Sequence, residues 1–453
     1  MRKTLSTKTI FSLLLVLILL FTIITQSGSV AYAAKKAKIS KTKATLYVKN
    51  TLKLKVKGAK KKVTWSSSNK KVVKVSSKGI VTAVKKGTAK IIAKTGKQKL
   101  TCKVTVMNPT ISDREAEINL PETKLLKVSH AVGKVKWSSS DTSVATVSSK
   151  GLVRGVHIGE ATITALASGV KLKCNITVGC DIGTYYYVWN VNADLSPEGG
   201  DKLTEAQAAE VRCALNSLID RTYIVESIIQ ENKTPAPSYI AKGFKEPDGS
   251  EFYQHSGPEG TGYYPLTADR EKVIETLKKY YRYEIVSGQT VFKDFPFIKY
   301  ICNVGNPVHL QVGSYIQSEL KSVGISMSVY GYEWDEYVNE LKAGNYTLAR
   351  GGWIIEEYDA IDMLQVFLTE SGNNDTRLGT GNNLSAIYEV DLSGIGDGKY
   401  SKISGNWNGT YDLLVGTYIN EETDPLIRSQ LMHKAEDLLM STGCVSPIHY
   451  YRE

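Results

Sequence analysis

Two small all-β sandwiches followed by one α/β lobe is the architecture this sequence predicts. Three observations lead there. A segment beginning at Val63 recurs at Val135 without a gap. Both copies alternate apolar and polar residues, the period of half-buried strands. After Gly179 that alternation gives way to strands alternating with amphipathic helices.

The chain opens on an address. Arg2, Lys3 and Lys8 precede an apolar run from Ile10 to Ile24, and Ala31-Tyr32-Ala33 supplies the small–x–small pattern of a signal-peptidase site. The run is about fifteen residues, short against the roughly twenty of a bilayer span; an uncleaved anchor is the other reading. No cysteine follows closely, so no lipid anchor is expected. Residues 1–33 are therefore expected to be a signal peptide. The mature chain is expected to be secreted, extracellular and associated with the cell surface.

Charge is unevenly spread. Residues 35 to 103 carry 23 lysines and no arginine, and no Asp or Glu precedes residue 107. Residues 1–106 thus hold +26, which leaves −14 for the remainder of a chain whose net charge is +12. A block this basic suits polyanions, and outside a cell these are anionic cell-wall polymers or lipid headgroups. A solvated lysine-rich surface is the alternative. No nucleic-acid recognition motif is present.

The repeat has an offset of 72 residues, pairing Trp65 with Trp137, Gly79 with Gly151, Gly87 with Gly159 and Cys102 with Cys174. Its glycines fall where strands reverse and a positive φ is useful. Short strands over this length close as a small β-sandwich. The W-x-S-S-S, V-x-V, G-x-V-x-[AG] and G-x-A-x-I layout resembles the bacterial immunoglobulin-like group 2 domain, twice: residues 34–107 and 108–179. The resemblance implies immunoglobulin-like stalk or adhesive elements. Trp65 and Trp137 suit core packing or a carbohydrate platform.

Residues 180–453 read as mixed helix and strand. TYYYVWNVN (184–192) is a buried strand. Thr204 opens a helix with Gln207 at the capping-box position, burying Val211, Ala214, Leu215, Leu218 and Ile219 on one face. Strands are expected at 298–302, 325–330, 346–351 and 447–451, and helices at 309–323, 334–341 and from Asp424-Pro425, where proline suits the first helical turn. Such alternation argues for βαβ units.

Several blocks then occur in a telling order: YYYVWNVN, VRCALNSLIDR, the helix and strand of GNPVHLQVGSYIQSELKSVGISMSV, YVNELKAGNYTLARGGW, SGNN at 371–374, TYDLL at 410–414 and PIHYY. Together they resemble the extracellular solute-binding proteins of family 5, the oligopeptide-binding type that serves ABC importers. That resemblance implies a lobe of the periplasmic-binding-protein-like type II fold, a peptide or similar small solute as ligand, and importer membrane subunits as partners. Members carry a long segment ahead of the TYYY strand, forming most of a second lobe, where this chain has the two repeats. A single lobe presents half a cleft and forfeits enclosure. A partner lobe from another chain, low affinity, or a cell-surface adhesion role without transport all stay open.

The resemblance also places the ligand. The family has an Asp that binds the peptide ammonium shortly after Gly-Trp. Aligned without a gap, Glu356 stands at that position, Glu357 replaces the following Tyr, and Asp359 is close by. Trp353 would form the site wall or pack in the core. The acidic trio would suit an ammonium or a solvated loop. Asn373 and Asn374 read as turn residues.

Enzyme chemistry finds no foothold. The histidines at 130, 157, 255, 309, 433 and 449 form no HExxH spacing, and there is no GxSxG elbow, P-loop or EF-hand loop. Six cysteines, at 102, 174, 180, 213, 302 and 444, make no CxxC pair. No enzyme activity, metal or cofactor is expected. Export permits a Cys174–Cys180 disulfide, and buried free thiols fit equally well.

Overall fold

The computed structural model describes residues 36–452, so the expected signal peptide lies outside the described residues. The chain forms two compact units. One runs through Ser112 and takes in Val128–Lys136 and Ala165–Leu172; the other comprises Asp113–Lys127, Trp137–Thr164 and the chain from Lys173 onward.

Strict alternation builds the first repeat from β1 (Lys43–Tyr47), β2 (Thr51–Lys53), β3 (Val63–Ser67), β4 (Val73–Val75), β5 (Ile80–Ala83), β6 (Gly87–Thr95) and β7 (Gln98–Met107). They pair as a four-stranded sheet, β1-β7-β6-β3, and a three-stranded sheet, β2-β5-β4. β1 lies parallel to β7, while β6 and β7 form a long antiparallel hairpin. Val73, Val81, Ile91, Cys102 and Val104 point inward and are fully buried. Their strand neighbours Lys90 and Lys103 are exposed, as a period of two requires.

The second repeat reproduces this order with β8 (Glu115–Asn119), β9 (Thr123–Leu125), β10 (Lys136–Ser139), β11 (Ala145–Val147), β12 (Leu152–Gly155), β13 (Gly159–Ala167) and β14 (Val170–Gly179). Its sheets are β8-β14-β13-β10 and β9-β12-β11, with β8 parallel to β14. Trp65 and Trp137 are partly buried and lie under glycines. A Cβ at Gly79 (φ +74°) would come 2.9 Å from Trp65 Cζ2, and one at Gly151 (φ +86°) 2.7 Å from Trp137 Cζ2. The paired glycines thus supply both a left-handed turn and room for an indole.

The rest of the second unit is built on β15 (Gly183–Trp189), α1 (Glu205–Ser217), β16 (Thr234–Pro235), β17 (Ile298–Asn303), α2 (Pro307–Lys321), β18 (Met327–Tyr332), α3 (Trp334–Ala343), β19 (Leu348–Ile354), α4 (Pro425–Ser441) and β20 (Val445–Tyr450). One sheet holds its strands in the order β16-β20-β15-β19-β17-β18. Thr204 and Gln207 form the capping box of α1, and Asp424 caps α4 ahead of Pro425. The βαβ expectation describes half of this sheet: β17 is parallel to β18 and β19. The other half differs, because β15 runs antiparallel to both β19 and β20. The element directly before β15 is the strand β14 and not a crossover helix, so nothing imposes a parallel entry.

Buried charges brace the sheet. In the VRCALNSLIDR block, Arg212 pairs with Glu205 and donates to Thr442 O at 2.9 Å. Arg221 donates to the carbonyls of Pro447 (2.6 Å), Ile219 (3.0 Å), Asn216 and Pro265 (both 3.1 Å). Burial lowers its pKa to about 10. On α4, Glu436 accepts from the amides of Tyr239 (2.9 Å) and Ile240 (2.7 Å) and from Ser256 Oγ (2.6 Å). Burial raises its pKa to about 7. The six cysteines are free thiols.

Two outcomes follow. Gly151→Ala meets the Trp137 ring and the Leu126 carbonyl at a positive φ, so it should destabilise its sandwich by about 1–3 kcal/mol, lowering the corresponding transition in a calorimetric melt. Because the Glu436 carboxyl titrates near 7 when folded, above an ordinary 4.5, its contribution is fullest below pH 4.5 and is lost as pH rises through 7. The melting temperature should therefore fall between pH 5 and 8, and Glu436→Gln should flatten that fall.

Candidate ligand-facing edge

β17, β18 and β19 run the same way, so Asn303, Tyr332 and Ile354 end along one edge, joined by Tyr450 at the end of β20. In open α/β sheets ligands sit beyond the carboxyl ends of the strands. Exposed apolar side chains lie at or near this edge: Trp334 is 58% exposed, Ile354 42% and Tyr330 41%.

The loop leaving β19 carries the three residues singled out from sequence. Trp353 is partly buried, and its Nε1 donates to Asp362 Oδ1 at 2.6 Å. Glu356 is exposed; its amide and that of Glu357 donate to Asp362 Oδ2 at 3.2 and 3.3 Å. Asp362 therefore gathers three donors and ties the indole to the turn bearing Glu356. Asp359 faces elsewhere. Arg428 on α4 grips it with two parallel bonds, Nη1 to Oδ1 at 3.0 Å and Nη2 to Oδ2 at 2.8 Å, a geometry that fixes both side chains. Trp353 and Glu356 are thus joined through one carboxylate, while Asp359 is engaged by an arginine. Between them, Tyr358 anchors the loop by donating to Gly243 O at 2.7 Å and stacking on Phe244.

The second repeat reaches the same loop. His157 Nε2 lies 3.2 Å from Glu357 Oε1, and the Ile158 amide donates to Glu356 O at 3.4 Å. The Glu356 carboxylate itself makes no ion pair among the described residues.

Sequence reading passed over Asp362, Arg428 and Arg350. Arg350 is three positions before Trp353 on β19, and alternation turns it to the opposite face. Its guanidinium lies 5.0 Å over the Tyr185 ring and donates to Tyr451 Oη at 3.2 Å, while its buried Nε has no hydrogen-bond partner among the described residues. Tyr185 also stacks on His449 at 5.0 Å and His309 at 5.6 Å. Burial lowers both imidazoles, His449 to about 4, so at neutral pH Arg350 is the charged member of this trio. The one available signal was an arginine inside an otherwise apolar strand. Asp362 offered none, because its donors are two amides and an indole brought together by the turn.

Residues 135–375, more than half of the chain, match the family described as Bacterial extracellular solute-binding proteins, family 5 Middle. Residues 61–108 match the Bacterial Ig-like domain. The chain belongs to the family 5 extracellular solute-binding proteins. Its match begins inside the second repeat. The chain is similar to the dipeptide-binding protein DppE of Bacillus subtilis, at 24% identity over 62% of this chain and 42% of that protein. It is likewise similar to the oligopeptide-binding protein OppA of the same organism, at 24% over 66% and 45%. It thus spans less than half the length of these curated relatives. Among solved structures, Haemophilus influenzae OppA in complex with RPPGFSPFR is 17% identical, with 64% of this chain and 56% of that chain covered and a TM-score of 0.42. NikA from Brucella suis is 14% identical over 60% and 45%, at a TM-score of 0.44.

If Asp362 holds the loop, Asp362→Ala should cost it about 1–2 kcal/mol. Hydrogen exchange at the Glu356 and Glu357 amides should then quicken roughly tenfold. Unchanged exchange would show that the turn stands without this carboxylate.

Proposed function

We propose that this chain is an exported solute-binding protein of the peptide ABC-importer type. It binds a peptide or similar small solute at the carboxyl edge of its mixed sheet and passes it to importer membrane subunits. Family membership carries the reading, supported by relatives named for dipeptide and oligopeptide binding. Residues from 180 onward correspond to one lobe of a type II binding fold, and the two preceding repeats are immunoglobulin-like modules serving as stalk or wall contact.

In this reading Glu356 meets the ligand ammonium, since an exposed carboxylate without a counterion is free to form a charge-assisted bond. Trp353, held by Asp362, forms the wall, and Asp359 acts through Arg428 to set the shape of the loop. Arg350, on the opposite face of β19, holds Tyr185 and Tyr451 in place behind the site. A second reading, attachment to anionic cell-wall polymers, is favoured by one observation: residues 35 to 103 carry 23 lysines with no Asp or Glu among them.

Calorimetric titration of the full chain with a pool of short peptides tests the first reading. Saturable heat is expected, with affinity lowered about 10- to 100-fold by Glu356→Gln, as for a lost hydrogen bond to a charged group of about 1.5–3 kcal/mol. A folded sample that takes up no peptide would overturn it.

A further inference from the structure

The two repeats share one strand order but coat the same sheet face with different chemistry. On the four-stranded sheet of the first repeat, residues opposite one another across the strands share a face. Lys43 on β1 pairs with Lys103 on β7, and Lys103 pairs with Lys90 on β6. Three ammonium groups therefore stand in one row, with strands roughly 5 Å apart. Further along the same face Lys94 pairs with Lys99. All five are exposed, and none forms an ion pair among the described residues. None has a nearby alternative in its own sequence, because the first acidic residue is Asp113.

Like charges placed directly opposite on a sheet are destabilising, so this face keeps a repulsion that the fold does not require. The second repeat shows as much. At an offset of 72 residues, Lys43, Lys90 and Lys103 are replaced by Glu115, Thr162 and Asn175. Glu117 and Glu160 occupy the next row on that sheet. The same pleated scaffold thus tolerates neutral and acidic side chains where the first repeat has only lysine.

We infer that the Lys43–Lys103–Lys90 row, with Lys94 and Lys99, is a binding face for a soluble linear polyanion bearing repeated phosphate or carboxylate groups. This rests on the wall-contact reading and specifies its surface. Between the lysines the face carries Thr45, Thr88, Thr101 and Thr105, hydroxyls that donate to anionic oxygens. Its apolar members are few, Ile92 between Lys90 and Lys94 and the Tyr47–Met107 pair at one end, short of the continuous apolar face that a membrane-surface element buries, which favours a polymer over a bilayer. The acidic face of the second repeat also carries Lys171 and Lys173, so it is a poor mirror image, which disfavours pairing between copies.

The test compares the full chain with K43T/K90T/K103T, with K43R/K90R/K103R, and with K60T/K70T/K78T, which removes equal charge from exposed positions off this face. The probes are long-chain polyphosphate and polygalacturonate, titrated at several salt concentrations. Phosphatidylglycerol vesicles and sedimentation of the chain alone complete the set. The face triple should lose at least tenfold in affinity, and its log–log salt slope should fall by about two to three. The arginine triple should retain binding, and the off-face triple should change little. Preference for one polymer tells phosphate from carboxylate. Equal losses from both threonine triples would overturn the assignment, leaving only diffuse charge. So would binding confined to vesicles, or lysine-dependent self-association without polymer binding. Peptide titration of the same samples separates this outcome from failure of the solute-binding reading. If isolated wall polymer binds the parent chain and the face triple alike, wall contact stands and this face does not.

Discussion

Everything beyond the two repeats depends on a strand with no solvated side. All seven residues of Gly183–Trp189 are buried, so each backbone N–H and C=O must find its partner inside the protein. Pairing on one side with Leu348–Ile354 and on the other with Val445–Tyr450 meets that requirement. The strand then parts two apolar cores: Tyr186 and Val188 enter one, Tyr185, Tyr187 and Trp189 the other. Two of its side-chain polar groups are met by specific contacts, Thr184 Oγ1 donating to Tyr239 O at 2.7 Å and Trp189 Nε1 to Asn216 Oδ1 at 2.8 Å. A strand so constrained fixes where its neighbours end, and their ends form the edge that carries the candidate site.

Buried ions serve this frame rather than the site. Arg221 spends its guanidinium on four carbonyls, and Glu436 on two amides and a hydroxyl. Each joins segments far apart in the chain where no regular hydrogen-bond ladder could. Removing either would leave backbone groups buried and unpaired, the expensive side of hydrogen bonding. The loop after the Gly-Trp pair uses the same device near the surface, with Asp362 as the acceptor that converts a turn into a fixed shape.

Local chemistry was legible in the sequence. Alternation and paired glycines announced the strands of both repeats, and Thr204 with Gln207 announced a helix start that the structure reproduces. Pairing at long range was not. Nothing near Tyr186 says that its neighbours run antiparallel, and nothing near Asp359 points to Arg428, which lies on a helix many residues later. The site is half legible for the same reason: Trp353 and Glu356 lie in a recognisable stretch, but the carboxylate joining them is defined only once the turn has formed. Arg350 was hidden differently, since period-two alternation sends it to the face opposite Trp353.

In each repeat the first strand of the four-stranded sheet lies parallel to the last, Lys43–Tyr47 beside Gln98–Met107 and Glu115–Asn119 beside Val170–Gly179. Tension applied through the chain ends would drag these strands past one another lengthwise. Their hydrogen bonds would then bear the load together, in shear, instead of unzipping one by one as in a hairpin pulled from its open end. A sheet paired this way yields abruptly and late, where a hairpin gives way gradually.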